Sequence, residues 1–217
     1  MEELIADPFR AARLVLRLRQ EGVTDDAVLK AMETIDRGAF VEGEELKKLA
    51  FDDCVLPIPC GQTIPRPAVT GQLLQAMGLG PSRLARILMI GMGSGYTAAL
   101  AGQLGSDVFA VERYDRLTEA ARQRIVRLGL SNVAVRHGDG MLGWAERGPY
   151  DRILLTGQVD EVPDVLLSQL AKGGLLLAPM QREGRQQIAR MNADRQTEWI
   201  GLSFPLPALA EGKSRIL

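Results

Sequence analysis

Histidine and cysteine are nearly absent, with His137 alone of the first kind and Cys54 and Cys60 of the second in 217 residues. So few thiols exclude a disulfide framework, and their x5 spacing beside a single imidazole makes no zinc pattern. Reduced thiols and no metal are expected. A Cys-His or Ser-His pair would have to recruit His137, which sets hydrolase readings back from the start. Long apolar runs are missing too, none approaching the ~18 to 20 residues of a membrane span. The acidic start Met1-Glu2-Glu3 lacks the basic and apolar segments of a secretory signal. A soluble, cytoplasmic protein is the expectation. Neither charge dominates, at 26 basic against 27 acidic side chains, so no global field draws nucleic acid or an anionic membrane.

What the chain does have is apolar material, 46% of its residues, enough for one domain over 1–217 burying roughly 70% of the surface its unfolded form exposes. Residues 1–67 read as N-terminal helices followed by a substrate-side loop. Phe9, Ala12 and Leu16 fall on one face of a helix over 9–20, Arg13 and Arg17 on another, and Gly22 closes it. The arginines read as a solvated helix face, with a phosphate patch as the alternative. Thr24-Asp25-Asp26 caps a second helix running toward Ile35, which Asp36-Arg37-Gly38 stops; a third short helix is expected over 43–49. Pro57, Pro59, Pro65 and Pro67 then exclude a helix or a central strand around Cys60-Gly61-Gln62-Thr63. A functional loop over 51–67 is expected there, the alternative being a linker between two domains.

From residue 68 the pattern alternates regularly. A helix reaches Met77, and the run Ile87-Leu88-Met89-Ile90 precedes a glycine cluster and a helix ending near Leu104. Strands are predicted at 108–111, 133–135, 151–156 and 174–178, with helices over 115–128 and 163–171. Such alternation predicts an α/β fold, a doubly wound, mostly parallel sheet with helices on both faces. Residues 186–204 fit one or two antiparallel edge strands, with a turn at Asn192-Ala193-Asp194.

Gly91-Met92-Gly93-Ser94-Gly95-Tyr96 follows the first of these strands and opens a helix, where backbone can approach a ligand closely. A dinucleotide fingerprint would place its third glycine at position 96, where tyrosine stands. The shortened spacing argues against a pyrophosphate site and fits an amino-acid-bearing nucleoside. Glu112, 21 positions after Gly91, stands where a carboxylate can accept from both hydroxyls of a ribose. Asp139, between Gly138 and Gly140, occupies the next strand end and could accept from an adenine amino group, a turn aspartate being the alternative. His137 reads as a packing residue.

These residues resemble the protein-L-isoaspartate O-methyltransferases over about 40–179. The likeness rests on Arg37-Gly38-Ala39-Phe40-Val41, Leu56-Pro57-Ile58, Gly61-Gln62-Thr63-Ile64, the glycine segment 91–96, Val111-Glu112-Arg113, His137-Gly138-Asp139-Gly140, Tyr150-Asp151, Gln169-Leu170, Gly173-Gly174 and Pro179. Phe204-Pro205-Leu206 looks like a damaged form of the family's Phe-Val-Pro-Leu tail. The resemblance implies a Rossmann-like core over 68–217 that binds S-adenosyl-L-methionine through Gly91, Gly93, Ser94, Gly95, Tyr96, Glu112, Asp139 and Gly140. It also implies methylation of isoaspartyl carboxylates in proteins and peptides, as a repair reaction. One position departs from the family: a serine or similar hydroxyl follows Gly-Gln-Thr-Ile there, thought to orient the acceptor, and here that residue is Pro65. Thr63 and Thr70 are nearby hydroxyls, neither at the matching place. A changed acceptor, or a module that only holds the cofactor, are the competing readings; an NAD-dependent oxidoreductase is the most distant.

Overall fold

Local signals set most of the element boundaries. The computed structural model describes residues 9–79, 85–105, 107–202 and 204–214, so the acidic start Met1-Glu2-Glu3 lies outside the described residues. Helices α1 (Arg10–Gln20), α2 (Asp26–Thr34) and α3 (Glu44–Lys48) come first, followed by a hairpin of β1 (Leu56–Ile58) and β2 (Gln62–Ile64) and by α4 (Pro67–Ala76). Next come β3 (Arg86–Ile90), α5 (Tyr96–Gln103), β4 (Asp107–Glu112), α6 (Asp115–Arg127), β5 (Val133–His137) and β6 (Tyr150–Leu155). The four-residue α7 (Asp164–Leu167), β7 (Leu170–Arg182), β8 (Arg185–Met191) and β9 (Thr197–Gly201) complete the series.

Asp25 caps α2 by accepting from the amides of Ala27 and Val28 at 2.9 and 3.2 Å, the use of a short carboxylate that its position suggested. Pro67 opens α4, where a missing N–H costs nothing. The proline-rich stretch is not a plain loop: its prolines leave room for two three-residue strands paired at Leu56↔Ile64, Pro57↔Thr63 and Ile58↔Gln62. Both strands stand apart from the main sheet. The helix expected over 163–171 is only α7, because the chain re-enters the sheet at Leu170.

The main sheet has seven strands in the order β5-β4-β3-β6-β7-β8-β9. Its first five are parallel; β8 folds back antiparallel on β7 through Glu183-Gly184, and β9 on β8 through the turn at Asn192-Ala193-Asp194. This is a Rossmann-like α/β architecture. Alternation along β3 divides the core: Ile87 and Met89 face a cluster built with the N-terminal helices, α4, α5 and α6. Leu88 and Ile90 face a second cluster with Leu166 and Leu167 of α7. The second face is thus covered by α7 and by turns, a thinner layer than the first. The order reverses between β3 and β6, and a crevice opens beyond the carboxyl ends of strands at such a switch point.

Close approach of α5 to β5 is set by Gly102, where an added Cβ would lie 2.4 Å from Cγ2 of Val133. Alanine gains up to ~1 kcal/mol of helix propensity, whereas overpacking costs ~1 to 3 kcal/mol. We expect Gly102→Ala to lower stability by about 1 kcal/mol, and valine by more. Urea unfolding checks this; an unchanged or raised midpoint for both variants would show that the helix backs away freely.

Candidate active site

Parallel pairing fixes what meets at the switch point. Because Ile90 is in register with Val111, and the Gly91 amide continues the ladder to the Val111 carbonyl at 2.9 Å, the turn after β3 lies beside the end of β4. Gly91, Gly93 and Gly95 all take positive φ, at 81°, 55° and 89°, a region that side chains disfavour. Their surroundings differ. A Cβ on Gly91 would stand 2.7 Å from Leu209, one on Gly95 would stand 2.9 Å from Cβ of Ala121, and one on Gly93 would meet only Ile58, at 3.5 Å. Gly95 therefore serves the packing of α5 against α6, and Gly93 leaves space in the cleft.

Glu112 is 4% exposed and lines that cleft. Its Oε2 accepts from the Gly93 amide at 2.8 Å and its Oε1 from the Tyr114 amide at 3.1 Å. Burial pushes its pKa above the ordinary carboxylate range, while the amides of Gly93, Tyr114 and Arg113 pull it back. A carboxylate has about four acceptor sites, so capacity remains for hydroxyls entering the cleft.

Thr63, Pro65, Gly91, Gly93, Ser94, Tyr96, Glu112 and Gly140 line this one cleft. Asp139, expected beside them, is not among the lining residues; one carboxylate oxygen accepts from the Met141 amide at 3.0 Å and caps the short turn Gly140–Leu142. Close packing explains the neighbouring glycine, since a Cβ on Gly140 would meet Ile90 at 2.5 Å. Thr70 is fully buried and does not line the cleft, which leaves Thr63 as the loop hydroxyl there. His137 is likewise outside it, with Nε2 3.0 Å from the Arg113 carbonyl.

Several contributors were not singled out from sequence. Thr156, at the end of β6, donates to the Gly91 carbonyl and so ties the glycine turn to the neighbouring strand. Residues 207–210 form a wall of the cleft, held by Gln158 N–H donating to the Pro207 carbonyl and by Leu209 N–H donating back to the Gln158 carbonyl, at 2.9 and 2.8 Å. A tail so distant in sequence carries no local signal of this placement. Arg37, read as part of a helix stop and of a family motif but given no role in the site, is 1% exposed. Its Nη1 donates to the carbonyls of Ala50 and Asp52, and its Nη2 to those of Cys54 and Pro65 at 2.7 and 3.1 Å. Burial lowers its pKa, the nearby Tyr96, Cys54 and Asp53 opposing this. Tyr96 packs edge-on against Phe40 at 5.3 Å, and burial pushes its phenol upward. Beside Pro65, Arg66 pairs with the buried Asp53 and lies 3.4 Å over the Phe204 ring, fastening the tail to the loop.

A glycine turn open at Gly93, joined to a buried carboxylate at the next strand end of a Rossmann-like sheet, has the form of the S-adenosylmethionine-dependent methyltransferase class. The profile of the protein-L-isoaspartate(D-aspartate) O-methyltransferase family matches residues 10–202. A protein-L-isoaspartate O-methyltransferase of Maricaulis maris is 40% identical over 215 residues, 98% of this chain and 99% of that one. Among solved structures, a protein-L-isoaspartate O-methyltransferase superposes with a TM-score of 0.81 at 28% identity, over 92% of this chain and 66% of that one. A Plasmodium falciparum structure in complex with S-adenosyl-L-homocysteine shares the fold at a TM-score of 0.76 and 22% identity, over 91% of this chain and 97% of its own. The chain belongs to the protein-L-isoaspartate(D-aspartate) O-methyltransferase family, and is an S-adenosylmethionine-dependent methyltransferase.

The raised pKa of Glu112 has a definite sign in stability. Between its unfolded value, ~4.3, and the higher folded one, the native state holds more proton than the unfolded chain, so this group's contribution falls as pH rises. The difference in unfolding free energy between the native chain and Glu112→Gln should decline across that window and level off above it. A difference that rises with pH in matched urea titrations would contradict the assignment.

Proposed function

We propose that the chain methylates the side-branch carboxylate of isoaspartyl residues in proteins and peptides, as a step in their repair. The observation that carries the reading is Glu112, buried and joined to the open glycine turn through the Gly93 amide. In this reading Gly91, Gly93, Ser94 and Tyr96 lie under the methionine end of S-adenosylmethionine, Gly95 shapes the turn, Glu112 accepts from the ribose hydroxyls, and Asp139 and Gly140 stand beside the purine. Asp139 has spent one oxygen on its turn and keeps the other for an amino group. A cytoplasmic setting suits the two free thiols, Cys54 and Cys60. The proposal takes the chain as a single domain, in which the N-terminal helices and acceptor-side hairpin serve the core from residue 68 onward; the packing of α2 against α4 and α5 supports it.

The cofactor supplies an activated methyl group. The acceptor carboxylate, with a reference pKa near ~4, is already an anion at neutral pH, so no general base is required of this chain. Its own residues have to hold the acceptor in line and keep water out, a matter of positioning. On the acceptor side Pro65 offers no hydroxyl and no N–H, but its carbonyl is pinned by Arg37. Thr63 therefore presents the loop's hydroxyl to the cleft, and the buried Arg37 guanidinium places a positive charge behind the loop.

Incubation with labelled S-adenosylmethionine and an isoaspartyl peptide should give a base-labile methyl ester, with at least tenfold less label on the aspartyl peptide; equal transfer to both would defeat the reading. Glu112→Ala should weaken S-adenosylhomocysteine binding by about 100-fold in calorimetry, since charge-assisted hydrogen bonds contribute ~1.5 to 3 kcal/mol each. Pro65→Ser should raise kcat/KM for the isoaspartyl peptide by roughly tenfold, a hydrogen bond's ~1.4 kcal/mol expressed in the transition state, and leave that calorimetric affinity unchanged.

A further inference from the structure

A second cavity, of about 110 Å³, lies between α1 and the turn Leu49–Phe51, and it is strongly basic. Arg10, Arg13, Arg17 and Lys48 line it, with Phe51 and the single acid Asp52. Positions i, i+3 and i+7 put the three arginines on one face of α1, spread over ~10 Å at 1.5 Å per residue. Like charges three and four apart on a helix repel, so their spacing along α1 does not itself stabilise the helix.

Several cations elsewhere on the surface are matched by acids. Arg19 pairs with Asp26 at 2.6 Å, Lys30 with Glu33 at 2.8 Å and Lys47 with Glu44 at 2.7 Å. Among the described residues no ion pair engages Arg10 or Arg17. The Arg10 guanidinium instead lies 5.1 Å from the centre of the Phe51 ring, which orients it without neutralising it. Lys48 has Glu45 at 2.6 Å, an exposed pair that solvent screens and a competing anion can open.

We propose that this cavity receives the carboxylates of an acidic stretch in the polypeptide acceptor, a few residues from the isomerised site. The inference rests on the isoaspartyl reading above. Three observations favour it. The wall of the cavity and the acceptor loop hang on one guanidinium: Arg37 donates to the Asp52 carbonyl at 3.4 Å and to the Pro65 carbonyl at 3.1 Å. An extended chain covers ~3.3 Å per residue, so a peptide whose reacting residue lies at Pro65 reaches the arginine row within a short run. Acids at alternate positions of such a chain fall on one side at ~7 Å spacing, which suits guanidinium groups one to two helical turns apart. The near-neutral balance of the whole chain, 26 basic against 27 acidic residues, offers no extended field for a nucleic acid, whereas a row this short matches two or three carboxylates.

Two isoaspartyl peptides of equal length, one flanked by glutamates at alternate positions and the other by glutamines, make the test. The native chain at low salt should show a KM five- to tenfold lower for the glutamate peptide with kcat unchanged. The advantage should vanish near ~0.5 M salt, where the Debye length is a few ångströms. The double variant Arg13→Gln, Arg17→Gln should abolish it while leaving the KM of the glutamine peptide and the affinity for S-adenosylhomocysteine as they were. Equal KM values in the native chain, or a preference that survives in the double variant, would overturn the proposal. Stronger competition by a short oligonucleotide than by a glutamate-rich peptide would also overturn it, in favour of a nucleic-acid surface. Should neither isoaspartyl peptide be methylated, the acceptor reading fails separately. Fluorescence anisotropy of a labelled glutamate-flanked peptide then judges the cavity alone: binding lost in the double variant supports it, and no binding refutes it.

Discussion

A carboxylate taken out of water is costly, and Glu112 persists inside the protein because backbone amides receive it. One oxygen holds the glycine turn through Gly93 and the other holds the exit of β4 through Tyr114. Both loops donate to the same carboxylate, so the shape of the cleft and the ionisation of Glu112 depend on each other. The spacing of 21 positions from Gly91 follows from register: with β3 and β4 parallel and Ile90 opposite Val111, the residue after Val111 comes to rest beside the turn after Ile90. Sheet pairing thus delivers the carboxylate to the cleft beside the glycine turn.

The acceptor side solves the opposite problem. Prolines at 57, 59, 65 and 67 remove amide donors from a segment whose carbonyls still need partners. Arg37 supplies them from inside, reaching four carbonyls of the 50–65 segment with one planar fork. Its charge has no carboxylate partner among these contacts, so the loop is organised around a buried cation. Arg66 extends the arrangement outward by stacking on Phe204 while paired with Asp53. The loop and the tail therefore share a boundary, and a change in either is felt by the other.

Period and spacing carried most of the fold. The runs at 87–90, 108–111, 133–135 and 151–156 are apolar enough to be strands buried on both faces, and each lies within a strand of the sheet or one residue beyond it. That the glycine turn and Glu112 would come together was legible because their placement follows from local geometry and strand order. Other features were hidden for physical reasons. The hairpin of β1 and β2 was masked by prolines, whose fixed φ is compatible with short extended pairs outside the main sheet. Arg37 looked like a helix stop because a charged residue is expected outside, and only the folded loop shows the carbonyls that justify its burial. Asp139 read as a purine contact or a turn aspartate, and the structure shows it capping the following turn. The wall at 207–210 had no signal at all, since its contacts with Gly91 and Gly157 join segments more than fifty residues apart by shape alone.

That wall also bears on when the pocket comes into being. Gly157 leaves no room for a side chain, because a Cβ there would stand 2.6 Å from the Pro207 carbonyl, and Gln186 grips Leu206 through both its N–H and its carbonyl. A chain emerging from the ribosome can complete β3, β4 and the glycine turn long before residues 207–210 are made. Until they arrive the cleft lacks that wall. Its shape is therefore finished by a segment made some fifty residues after β6, the strand whose exit it packs beside.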